Sequence, residues 1–139
     1  MKKKVIKVFT DASLCPITKA WGIGVWLNID GTTCKFTRSG INMFKNIQRI
    51  ELHAIHEAIS YLYANFDTRG SVLTISSDST VAIGNLNKQS TIRILELASL
   101  KIKHVKAHKG IRTVESSINT IVDSLAYAAM LDQRVKVMV

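Results

Sequence analysis

The chain has 139 residues, enough for one domain that buries roughly two thirds of its unfolded surface without disulfide or metal staples. Hydrophobic residues make up 47% of it, yet no apolar run approaches the roughly 20 residues of a membrane-spanning helix, which excludes that architecture. Nineteen Lys and Arg against ten Asp and Glu give a net charge of +9, a balance that suits a polyanionic partner.

The MKKK start has no apolar signal core, so a cytoplasmic protein is expected. Cys15 and Cys34 lack partner cysteines or histidines at zinc-ligand spacing and are read as free thiols. No repeat, low-complexity tract or long linker interrupts the chain, and residues 1–139 are expected to form a single domain.

Residues 4–10 (KVIKVFT) form an apolar strand that ends at Asp11, and 21–29 (WGIGVWLNI) a second strand. The Asp30-Gly31 pair makes a tight hairpin into a third strand, 32–39. Residues 47–65 carry helical periodicity, and Arg69-Gly70 separates them from a β-branched run at 71–77. Shorter helices are expected at 79–87 and 91–99, a strand at 102–107 and a final helix at 115–131. This order predicts an α/β fold: a five-stranded mixed sheet, three antiparallel strands then two parallel, with helices on both faces.

The carboxylates carry the functional signal. Ile47, Ala54, Ile55, Ala58 and Leu62 share a helix face with Glu51, which places that carboxylate on the buried stripe while His53, Glu57 and Tyr61 lie away from it. A buried charge costs several kcal/mol unless it is compensated, so a cation or donors should meet Glu51. Asp78 ends the fourth strand. It or Ser79 would serve as an ordinary helix N-cap, but neighbouring parallel strands deliver their carboxyl-end residues to one crevice where ligands bind. Asp11 and Asp78 meet there if strands one and four are neighbours. On the last helix Asn119 and Asp123 are four apart and share a face, with Asp123 flanking the stripe of Val122, Leu125, Ala126 and Ala129.

TDAS (Asp11), RIELHAI (Glu51), SSDS (Asp78), VKAHKG (His108) and NTIVD (Asp123) fall in the order and at the element boundaries of a type 1 ribonuclease H, which the chain resembles over nearly its whole length. The resemblance implies the ribonuclease H-like fold and hydrolysis of the RNA strand of RNA–DNA hybrids, leaving 5′-phosphate and 3′-hydroxyl ends. It implies two Mg²⁺ ions, for which Mn²⁺ can substitute: Asp11 bridges both, Asp123 serves the nucleophile side, and Glu51 and Asp78 serve the other ion. Four carboxylates this close would repel by about 4 kcal/mol per 4 Å pair at an effective dielectric of 20, a cost that divalent cations relieve. His108 is implied in proton transfer or product release. Expected substrate contacts are Ala12, Ser13, Gln48, Arg49, Ser79 and Asn119, with Glu51 also reading the 2′-hydroxyl that separates RNA from DNA.

His53 and His56 in HAIHE form neither zinc-helix motif and are read as structural or solvated, like His104. Ala12 stands where the family more often has glycine. Only 29 residues separate Asp78 from His108, too few for the basic handle of many bacterial members, so hybrid affinity would rest on other basic residues such as Lys101, Lys103, Lys106 and Lys109, some of which could instead be edge-strand lysines that block aggregation. A monomer with no obligate protein partner is expected. Two rivals are a nuclease of the same superfold acting on DNA, disfavoured by TDAS with RIELHAI, and a non-catalytic nucleic-acid-binding module, disfavoured by the complete carboxylate set.

Overall fold

A computed structural model describes residues 3–105 and 113–138, the side chains as far as residue 136. Three strands, β1 (Val5–Leu14), β2 (Ala20–Ile29) and β3 (Thr32–Ile41), precede helix α1 (Ile47–Asn65). Strand β4 (Val72–Ser77), helices α2 (Thr80–Asn85) and α3 (Lys88–Leu95), strand β5 (Ser99–His104) and helix α4 (Val114–Met138) follow. The strands form one sheet in the order β3-β2-β1-β4-β5. β1 pairs antiparallel with β2 and parallel with β4, so the mixed sheet predicted from the element order is present, and the α1 crossover puts β1 beside β4.

The two faces of the sheet are built differently. On one, Ile6, Val8, Val25, Leu27, Leu73 and Ile75 meet Ile55, Ala58 and Leu62 of α1 in the main core. Period-2 alternation of the strands and the 3.6-residue period of α1 bring these positions together. On the other, Phe9 and Trp26 pack edge to face at 5.6 Å and meet Val105 and Val122, the latter from α4. Gly22 and Gly24 let α4 lie on the backbone of β2: a Cβ on Gly24 would stand 2.5 Å from the Val122 carbonyl oxygen.

Several boundaries differ from those read in the sequence. β1 continues through Asp11 to Leu14, because its pairing with β2 runs on after the last parallel pair with β4, Phe9 with Ser76. Nor is β1 apolar on both faces as a doubly covered strand would be: Val5 and Lys7 are exposed between buried Ile6 and Val8. α3 begins at Lys88, not 91, because the Asn87 side chain accepts from Ser90 N–H at 3.0 Å, and it stops where Glu96 turns left-handed at φ 52°. β5 accordingly occupies 99–104 rather than 102–107, and α4 runs on to Met138, past the predicted end at 131.

Candidate active site

β1 carries Asp11 two residues beyond its last pairing with β4, and β4 gives way to Asp78 just after Ser77. Both carboxylates therefore stand at the carboxyl end of adjacent parallel strands, where the hydrogen-bond ladder opens. α1 supplies the third. Its start is fixed by Asn46, whose side chain accepts from Arg49 N–H at 3.0 Å, and by Trp21, whose ring packs edge-on to Phe44 at 5.1 Å and to His53 at 5.5 Å. From that anchored first turn Glu51 is directed inward and is 6% exposed. One oxygen from each of Asp11, Glu51 and Asp78 lies within 4.8 Å of the others. Among the described residues this is the one group of three or more side chains able to hold a metal ion, and His53 and His56 take no part in it.

Burial dominates the electrostatics. It raises Asp11 from an ordinary 3.8 to about 8, with the Asp78 charge and a hydrogen bond with Asp123 adding to the effect. The Ala12 N–H, 2.8 Å from Asp11 Oδ1, works in the opposite direction. Glu51 rises to about 10, first through burial and then through the charges of Asp11 and Asp78. The two titrate as a coupled set that retains protons at neutral pH unless positive charge is supplied. Glu51 Oε2 is buried without a hydrogen-bond partner, an arrangement that a bound cation would resolve. Carboxylate oxygens are the donors that hard divalent cations prefer.

Asp123 stands outside the group of three, on an exposed position of α4, yet it is near enough to Asp11 for its side chain to help raise the Asp11 carboxyl. The glycine contact accounts for that proximity, since Gly24 is the β2 partner of Asp11 and seats α4 at Val122, one residue before Asp123. Asn119, one turn earlier, is buried. Ala12 and Ser13 are half-buried on β1 beside the cluster, and Ala12 adopts ordinary strand geometry in pairing with Ile23. Gln48 and Arg49 are exposed on the first turn of α1. Ser79 caps α2, its hydroxyl accepting from Ala82 N–H at 3.1 Å. His108, Lys106 and Lys109 lie outside the described residues.

One contact escaped the sequence reading. His104 ends β5 opposite Ser77, and its Nε2 lies 3.1 Å from the Asp78 carbonyl oxygen. A carbonyl only accepts, so Nε2 carries the hydrogen and ties the backbone of the Asp78 turn to β5. The signal was the β4–β5 register, which the misplaced start of β5 concealed.

A mixed α/β sheet whose adjacent parallel strands and first helix gather three carboxylates at one edge is consistent with metal-dependent catalysis. A family model described as RNase H matches residues 3–94, and the chain belongs to the ribonuclease H family. The matched span contains Asp11, Glu51 and Asp78 and ends before α4. Comparison with curated proteins gives no match.

Proposed function

We propose that this protein is an endoribonuclease that hydrolyses the RNA strand of RNA–DNA hybrids, leaving 5′-phosphate and 3′-hydroxyl ends. The observation that carries the reading is the convergence of Asp11, Glu51 and Asp78 within 4.8 Å in a chain of the ribonuclease H family. Asp11, Glu51, Asp78 and Asp123 would hold two Mg²⁺ ions, with Mn²⁺ as a substitute. Bound there, such cations supply the charge that activates a water and offsets the negative charge growing on the leaving oxygen.

The chain's own groups prepare that chemistry. Ala12 N–H fixes the Asp11 carboxylate through Oδ1, and Ser77 Oγ accepts from Ser79 N–H at 3.1 Å, which shapes the turn bearing Asp78. Glu51 and the backbone at Ala12 and Ser13 would contact the 2′-hydroxyl, the group by which a protein tells RNA from DNA. Gln48, Arg49, Ser79 and Asn119 orient the duplex from the surrounding elements without reading its sequence. His108 is assigned to proton transfer or product release.

The test compares labelled RNA–DNA hybrid, double-stranded RNA and double-stranded DNA of one sequence with Mg²⁺ or Mn²⁺. Cleavage confined to the RNA strand of the hybrid, abolished by Asp11→Asn, is expected. Preferential DNA cleavage would favour the rival nuclease, and equal activity of the variant would sink the site assignment.

A further inference from the structure

The face of the sheet that carries Phe9 and Asp11 is only partly covered by α4. The strand registers set Lys101, Thr74, Lys7, Asn28 and Thr33 in one unbroken row from β5 through β4, β1 and β2 to β3. The next row toward the carboxylates begins with Lys103 on β5 and ends with Lys35 on β3; between them Ser76 and Phe9 are buried and Trp26 is half-buried, with Ile118 and Val122 of α4 in the same cluster as Phe9 and Trp26. Lys7, Lys35 and Lys101 are exposed, and Lys103 is half-exposed in an ion pair with Glu115 at 2.7 Å. Successive residues alternate between faces, so this polar row backs directly onto the apolar row of Ile6, Leu73 and Leu100 that faces the main core.

Edge strands often carry lysine because it prevents sheet-to-sheet association, which accounts for Lys35 on β3 and for Lys101 and Lys103 on β5. That reason fails for Lys7. β1 is the middle strand and pairs on both sides. With strands about 4.8 Å apart, Lys7 stands about 10 Å from Lys101 on one side and about 10 Å from the β3 edge on the other. Lys101 and Lys7 thus stand in one row, and Lys35 stands at the β3 edge one row nearer the carboxylates, so the three lysines are spread over about 20 Å, the width of the sheet.

We propose that this open face is a second nucleic-acid contact surface, on which Lys7, Lys35 and Lys101 hold the phosphate backbone of a duplex without reading bases. A protein partner would need an apolar or aromatic centre, and the row offers none; Val5 and Val72 border it on one side. Nucleic-acid interfaces are polar and positive; the row is polar, Lys7, Lys101 and neighbouring Lys35 are its charges, and the chain's net charge of +9 acts in the same direction. The choice of nucleic acid as the polyanion rests on the proposed function. Lys7 stands four residues before Asp11 on β1, about 13 Å away along the strand, so the two can be substituted separately.

The experiment measures binding of an RNA–DNA hybrid and a DNA duplex by fluorescence anisotropy, in EDTA, over a range of KCl concentrations. The Lys7→Ala, Lys35→Ala, Lys101→Ala triple variant should weaken both duplexes alike and flatten the plot of log K against log salt by nearly 0.9 per lysine, about 2.5 in all. Replacing the same three residues with Arg should retain the slope, which separates lost charge from lost folding. A control triple with the same loss of charge elsewhere, Lys19→Ala, Lys88→Ala and Lys136→Ala, should flatten it much less. An unchanged slope in the first variant, or equal flattening in the control, overturns the inference. Normal hybrid cleavage with an unchanged slope removes this surface and leaves the proposed function; a flattened slope in a protein that never cleaves does the reverse.

Discussion

A carboxylate placed in a buried site without a cation prefers its proton, and this gives Asp11 and Glu51 a measurable effect on stability. Asp11 rises from 3.8 to about 8, so between those values the folded protein holds more protons than the unfolded chain. The stabilisation is complete below about pH 4 and is lost as pH rises through about 8; Glu51 extends the same trend upward. In EDTA, urea midpoints should therefore fall from pH 5 to pH 8, and Asp11→Asn should flatten the fall. A midpoint independent of pH over that interval would contradict the burial argument. The residues behind this were legible in the sequence because Asp11 and Glu51 break apolar patterns, where charge is expensive. Nothing local marked His104, whose contact with Asp78 spans 26 positions.

At the level of elements, the site depends on how closely α4 approaches the sheet. Gly24 has no side chain between β2 and the Val122 carbonyl, and the helix seated there presents Asp123 to Asp11. Gly24→Ala forces a methyl group into backbone contact and should cost about 1–3 kcal/mol by overpacking. Cleavage by the folded variant should fall further than its stability loss explains, because Asp123 moves with the helix. Chemical denaturation paired with cleavage rates at a temperature where both proteins are fully folded separates the two effects. A variant of unchanged stability and rate would mean that α4 adapts without displacing Asp123. Periodicity located α1 and α4, but the boundaries of α3 and β5 followed from the Asn87 cap and the left-handed Glu96, which override propensity within a few residues.

For the whole molecule, cation binding and folding are linked. A metal that binds only the folded carboxylate cluster stabilises it by RT ln(1 + [M]/Kd), about 2.7 kcal/mol at one hundred times Kd. Saturating Mg²⁺ should raise the thermal midpoint by several degrees at pH 8 and by less at pH 5, where protons compete for the same oxygens. Asp11→Asn should lose most of that increment, as differential scanning calorimetry would report; an equal rise in the variant would place the metal elsewhere.

The sequence by itself determined the strand and helix order, the mixed sheet, and three carboxylates out of place in otherwise apolar surroundings, because each of these is written in local periodicity and in the cost of burying charge. Tertiary structure alone decided that Asp11 lies within a continuing strand, that His104 holds the Asp78 turn, and that glycines on β2 bring Asp123 to Asp11. It also decided that α4 leaves a row of the sheet open, with Lys7 at its centre. Those facts depend on register and on where a helix crosses a sheet, and both are set by packing between segments far apart in the chain.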